Sequence, residues 1–446
     1  MRRRLRLHGF PYSTWLRAAR RRGWRRPSAF ATVSDDPEAG IREYLVASEA
    51  FRGETSVPGR VPVYVRRDDM PPLDRTLPLF DAFELASDLP FLILDGSVRQ
   101  RPRAILHTAS GRLEAIDDVV LVGQAPYRVP RPAVAESALG EDDPEHGRFS
   151  RELAALGGRT DALRALQSTH VSLVGAGRNG SLMATHLAAL GVGRGRITLI
   201  DDDVLEPSNL AAMALGPEWA GQRKVDAVAA MIERSDPAAN VQSICAPARD
   251  PRAVRAMARS DLILVATDRR GSNEARLLAA TAGAAYLRPV LEVGTGIQRD
   301  DRGETRLGAD VRLTLDQCLL CLGGVGDIHR DDPGAETSWR DQRAGSLRSL
   351  NSVATGLAQH LLERFFVDRT PHSTWIHLEL DAQGFVSPRT MRTAGSFAGC
   401  PICRMAGLGD QAFSDPLPVE AAGRARVRPL ERRRVFRPRP DDDLPF

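Results

Sequence analysis

A short apolar run, VSLVG at 171–175, passes directly into Gly175-Ala176-Gly177-Arg178-Asn179-Gly180. RNGSLMATHLAAL at 178–190 follows, with its apolar residues at helical spacing. A strand that turns through glycines into a helix commits the chain to a βα unit, and a parallel partner strand has to follow. ITLI at 197–200 supplies one. The alternation continues with a helix in GQRKVDAVAAMIERS (221–235) and strands in VQSIC (241–245), DLILVAT (261–267) and RPVLEVG (288–294). Further helices are expected near 250–259 and 271–284. The expected fold class is therefore α/β, a Rossmann-like, doubly wound, mostly parallel sheet.

Glycines at 175, 177 and 180 allow a tight turn and close approach of backbone to phosphate, while the helix N-terminus offers free N–H groups. Asp201 ends the second strand, 26 residues after Gly175, the place of an acid that binds ribose hydroxyls. To this point an NAD-dependent oxidoreductase explains the residues equally well.

The next residues break the tie. IDDDVLEPSNL (200–210) packs four carboxylates into eleven positions, and crowded carboxylates repel unless something nearby needs them. Lys224 follows, in a chain where 60 of 61 basic residues are arginine. A lone surviving lysine suits a place that needs a compact ammonium rather than a planar fork. The ordered set GxGxxG, DDDxxExSNL, GxxK and ATD (266–268) resembles the adenylating domain of ubiquitin-activating enzymes and their bacterial ThiF/MoeB/HesA-type relatives in thiamine and molybdopterin synthesis. The resemblance covers about residues 148–403.

That resemblance implies an adenylyltransferase that uses ATP and Mg²⁺. Asp201 would hold the ribose, with Gly175, Gly177 and Gly180 forming the phosphate loop. Ser208 and Asn209 would line the triphosphate and Lys224 would bind phosphate. Asp268 would bind magnesium and act in catalysis. Arg151, in RFSR (148–151), would reach ATP across a homodimer interface. The substrate class implied is the C-terminal carboxylate of a ubiquitin-like or sulfur-carrier protein or of a precursor peptide. In-line attack on the α-phosphorus adds charge to oxygens already charged, so a clamp of cations is what such chemistry requires.

Cys318-x-x-Cys321 and Cys400-x-x-Cys403 leave only Cys245 outside a pair. Two such knuckles supply four thiolates, the donor set of a closed structural Zn²⁺ site. Many members of the resembled family share that pairing.

Three departures from the family pattern stand out. Near Ala212, where relatives commonly place a phosphate-binding arginine, there is none. The glycine loop carries Arg178 where many relatives have glycine, and Arg178 is expected to supply the missing charge. The loop after the first knuckle holds no cysteine, and Cys245 reads as a small hydrophobe at a strand end, so no protein thioester is expected. The missing arginine also leaves open a catalytically degenerate scaffold that only binds a ubiquitin-like partner.

Elsewhere the chain divides into a basic arm (1–35), a small mixed α+β domain (36–127), a linker (128–147), the adenylation-like part with its zinc site (148–430) and a disordered tail (431–446). Ten arginines and no acid stand in the first 26 residues. A nucleic-acid arm, an organelle transit peptide and a solvated basic tail all share that composition; the solvated tail is preferred, so no nucleic-acid partner is expected. Residues 36–127 are the natural recruitment domain, because a strand edge can capture an extended tail. No stretch approaches the ~20 apolar residues that cross a bilayer, and no apolar segment follows the basic start as a secretory signal would require. A cytoplasmic protein without a membrane partner is the default.

Overall fold

The computed structural model describes residues 1–8, 29–47, 59–65, 89–95, 103–122, 148–155, 157–158, 160–267, 273–299, 305–325, 347–366, 372–380, 386–391 and 399–414. The stretches expected as linker and tail lie outside them. Among the described residues, two eight-stranded sheets carry the fold.

The second sheet has the order β11-β10-β9-β12-β13-β14-β15-β16. Its parallel half is β9 (His170–Val174), β10 (Arg196–Ile200), β11 (Val241–Ile244), β12 (Leu262–Val265) and β13 (Val290–Arg299). The antiparallel extension is β14 (Thr305–Thr314), β15 (Thr374–Leu380) and β16 (Val386–Met391). Two short helices, α1 (Ser150–Ala155) and α2 (Thr160–Gln167), precede β9. The crossovers are α3 (Arg178–Ala189), α4 (Lys224–Ser235), α5 (Pro251–Arg259) and α6 (Asn273–Ala285), while α7 (Arg348–Phe366) packs on α3, β13 and β14. The strands of the parallel half are apolar because helices cover both faces; Val171, Leu173, Ile197, Leu199, Ile263 and Leu264 have no exposure. The doubly wound α/β expectation is met. Among the described residues, no helix is long and apolar enough to cross a membrane.

The first sheet has the order β7-β6-β5-β4-β2-β3-β1-β8. Its strands are β1 (Arg2–His8), β2 (Ala29–Asp36), β3 (Ile41–Val46), β4 (Val61–Val65), β5 (Phe91–Asp95), β6 (Arg103–His107), β7 (Leu113–Ala115) and β8 (Asp118–Val122). The outer strands β7 and β8 are joined by Ile116 and Asp117 alone, too short a link to cross an open sheet. The Ile116 N–H donates to the Ala104 carbonyl of β6, and the Asp117 N–H to the Arg3 carbonyl of β1, each at 3.0 Å. The sheet therefore curls round on itself like a small barrel, and among the described residues β7 and β8 each keep one edge without a partner strand.

The basic start is not an exposed arm. Arg2–His8 forms β1, parallel to both β3 and β8, and alternation explains why. Leu5 and Leu7 enter the barrel core, while Arg4 and Arg6 on the other face are just as buried. Arg4 Nη1 lies 3.1 Å from Glu43 Oε1, and Arg6 Nη2 lies 3.5 Å from both Glu43 and Asp261. Arg288, two residues before β13, pairs with Glu43 from the other side. Asp261 also accepts the His170 N–H at 3.1 Å. The remaining arginines of the supposed arm lie outside the described residues.

This ion cluster bolts the barrel to the N-terminal ends of β9, β12 and β13. Leu45, Ala47, Val120 and Val122 complete the joint by entering the same buried cluster as the parallel strands. Burial alone would raise the Glu43 pKa, but Arg288, Arg6 and Arg4 reverse that and hold it at about 2, against 4.5 in the unfolded chain. The ion cluster therefore contributes about 3 kcal/mol above pH 4.5, lost as the pH falls towards 2. In urea denaturation, Glu43→Gln is expected to cost about 3–5 kcal/mol at pH 7, because it strands buried guanidinium groups. That deficit should shrink as the wild type is acidified below pH 4.5; a deficit independent of pH would contradict the assignment.

Candidate active site

β10 and β11 lie on one side of β9, and β12 and β13 on the other. The crevice at such a switch point, beyond the carboxyl ends of the strands, is where open α/β sheets bind ligands. Gly175 directly follows β9 there with φ +93°, and a Cβ on it would sit 2.9 Å from the Ala266 carbonyl oxygen. A Cβ on Gly180 would lie 1.9 Å from the Gly175 carbonyl oxygen, so α3 seats directly on the loop. Gly177 differs: a Cβ would meet nothing within 4 Å. Gly177 is also the N-cap of α3 and makes no side-chain cap, so the first-turn N–H groups and the positive end of the helix face the crevice.

Asp201 staples this loop. Its Oδ2 accepts the Ala176 N–H at 2.7 Å and its Oδ1 the Asp203 N–H at 2.9 Å. Burial raises its pKa against the opposing charge of Lys224. The oxygens of Asp201, Asp202 and Asp203 come within 4.8 Å of one another, and the lysine offsets their repulsion. Lys224 opens α4, its ammonium 2.6 Å from Asp203 Oδ2 and its side chain 12% exposed. Its N–H also donates to the Asp203 carbonyl, at 3.0 Å. The first question raised by the acidic stretch, what needs so many carboxylates, thus has a local answer.

Ser208 and Asn209 lie in the 3₁₀ turn Pro207–Ala212, where Glu206 is the cap. The Glu206 N–H donates to Asn209 Oδ1 at 3.1 Å, and Ser208 Oγ donates to Glu206 Oε2 at 3.0 Å. Asp203 and Glu206 were legible only as surplus acids; the capping signature of an acid three residues before an amide would have found Glu206. Ala212, the position without its expected arginine, is half-buried in that turn, and Arg178 is half-buried at the first residue of α3. Asp268 lies outside the described residues; the residue before it, Thr267, lies two residues beyond the end of β12.

Arg151 is exposed on α1. The segment before it is anchored elsewhere: Arg148 lies 3.2 Å from Asp236 Oδ1 and donates to the Ser235 carbonyl at 3.0 Å. That is the far end of α4 from Lys224, roughly 18 Å away at 1.5 Å per residue. Within one chain, the RFSR segment is therefore not gathered into the glycine-loop site.

The four knuckle sulfurs lie within 4.8 Å of one another. Cys318–Cys400 and Cys321–Cys403 are each 3.6 Å apart. A tetrahedron with zinc–sulfur bonds of about 2.3 Å has edges of about 3.8 Å, so the donor set and its size suit a zinc ion. Cys245 is half-buried against the main core.

The glycine geometry separates packing from ligand approach. Gly175→Ala is expected to lose about 1–3 kcal/mol of stability through its positive φ. Gly177→Ala should cost less stability yet obstruct the helix mouth and weaken nucleotide binding. Urea denaturation and titration with ATP check both; equal behaviour of the two variants would contradict the assignment.

Known proteins resemble parts of this chain. Adenylyltransferase and sulfurtransferase MOCS3 of Mus musculus is 44% identical over 115 residues, 25% of this chain and 24% of its own length. Molybdopterin-synthase adenylyltransferase of Escherichia coli (strain K12) is 32% identical over 127 residues, 28% of this chain and 50% of that protein. The chain thus spans a quarter to a half of the length of these relatives. The crystal structure of E. coli MccB superposes with a TM-score of 0.45 at 17% identity, covering 59% of this chain and 73% of that one. The ThiF family profile matches residues 149–373, half of the sequence, running from the segment before β9 to the antiparallel extension, and the chain belongs to the ThiF family.

Proposed function

We propose that this protein adenylylates the C-terminal carboxylate of a small ubiquitin-like or sulfur-carrier protein or of a precursor peptide. A carboxylate oxygen forms the bond to the α-phosphorus of ATP, the bond to the β-phosphate breaks, and pyrophosphate leaves without a protein thioester. The observation that carries this reading is the meeting of the glycine loop, Asp201 and the Asp203–Lys224 pair at the switch point. The relatives named as adenylyltransferases support it.

In this reading the open mouth of α3 receives phosphate oxygens and Asp201 holds the ribose. Lys224 leaves Asp203 for the triphosphate, so that a cation already positioned in the crevice is transferred rather than recruited. Ser208 and Asn209 line the triphosphate from their 3₁₀ turn. Magnesium, when bound near Asp268, would neutralise charge on the phosphates. Arg178 replaces the arginine absent at position 212, and Arg151 acts from the partner of a homodimer. The four cysteines hold a structural zinc ion, and the barrel recruits the substrate through the open edges of β7 and β8. The missing arginine equally suits a scaffold that binds a partner but not ATP.

ATP–pyrophosphate exchange separates these readings. Exchange in the wild type, lowered at least about tenfold by Arg178→Ala and by Lys224→Ala, is expected from loss of groups that stabilise phosphoryl charge. Unchanged exchange in Arg178→Ala would remove that residue from the clamp. No exchange with any carrier would favour the scaffold, and binding of reduced nicotinamide instead would favour an oxidoreductase.

A further inference from the structure

Glu292 is the third residue of β13 and has no exposure. A carboxylate in a covered strand needs partners, and two arginines provide them. Arg276, in the first turn of α6, pairs with Glu292 Oε1 through Nη1, and Arg312 of β14 lies 2.6 Å from Oε2. Both guanidinium groups are about as buried as the acid.

Three further hydrogen bonds run from these guanidinium groups to main-chain carbonyls. Arg276 Nη2 donates to Thr267 at 2.6 Å and Nη1 to Gly324 at 3.0 Å; Arg312 Nε donates to Leu322 at 2.9 Å. Arg312 also lies 4.6 Å from the Trp375 ring centroid and 3.1 Å from Asp310 Oδ2. Thr267 is the residue before Asp268, and Leu322 and Gly324 come one and three residues after Cys321. One buried carboxylate therefore joins the end of β12 to the first cysteine knuckle. Well-packed apolar side chains would stabilise such a core as well as ion pairs do. What the ion pairs add is direction, because the planar fork of arginine fixes several acceptors at once.

We propose that Arg276 is a positioning residue that, through Glu292 and Arg312, sets the end of β12 against the first knuckle and so couples the proposed nucleotide site to the metal site. The inference rests on the adenylation reading for its nucleotide half only.

The test uses the zinc-loaded full chain with Arg276→Gln and with Arg276→Lys, which keeps a charge for Glu292 and so guards against loss of folding in the glutamine variant. Arg259→Gln, which breaks the ion pairs of α5 with Asp36 and Glu38, controls for general destabilisation. Zinc release to a chromogenic chelator is followed without nucleotide, and the half-saturating concentration of Mg·ATP is taken from pyrophosphate exchange. Both Arg276 variants are expected to release zinc about tenfold faster than Arg259→Gln and to raise half-saturation about tenfold, the size of effect typical of groups that orient metal ligands. Zinc release no faster than in the control overturns the proposal, as does faster release with unchanged half-saturation. If the wild type catalyses no exchange, the adenylation reading fails, and the zinc comparison alone decides the link to the knuckle.

Discussion

The candidate site depends on one close approach. At Gly175 the backbone turns away from β9 so near to Ala266 that a side chain would strike its carbonyl oxygen. The contact sets the ends of β9 and β12 side by side, which opens the switch-point crevice and points the first turn of α3 into it. Gly180 then lets α3 rest on the loop, and Asp201 closes the arrangement by taking the Ala176 N–H. Each later feature, including the placement of Lys224 beside Asp203, uses a strand end that this contact has already fixed.

Around that contact the chain uses charge in two ways. Arginine is the structural cation: Arg6, Arg276, Arg288 and Arg312 are all buried, paired with carboxylates or directed at carbonyls. Its weak hydration and fixed fork make such burial tolerable. Lysine occurs once, in the crevice, paired with a carboxylate that is two-thirds exposed. An ammonium opposite an exposed acid can change partners at small cost, since screened pairs contribute little. The same chain thus keeps forked cations where geometry has to persist and its compact cation where exchange is useful.

The parallel half of the sheet was legible because covered strands and crossover helices leave distinct periodicities. ITLI became the body of β10, and RNGSLMATHLAA became α3. The glycine loop and the four cysteines were legible for the same reason, since their spacing is local. The first strand was not, because ten arginines outweigh the period-two pattern of Arg4-Leu5-Arg6-Leu7; their partners, Glu43 and Asp261, are distant in sequence. Barrel closure was hidden likewise, as it depends on consecutive residues, Ile116 and Asp117, bonding to different strands. Glu292 and Arg312 carried a readable sign, a charge inside an apolar strand, but only the fold reveals which carbonyls they hold.

The central claim is that a substrate carboxylate attacks the α-phosphorus of ATP. The most direct measurement uses a carrier or peptide whose C-terminal carboxylate is labelled with ¹⁸O, incubated with the protein and ATP, followed by mass analysis of the released nucleotide. Adenylation requires AMP that carries ¹⁸O from the substrate, formed together with pyrophosphate. Unlabelled AMP, or ADP and phosphate in its place, would contradict it.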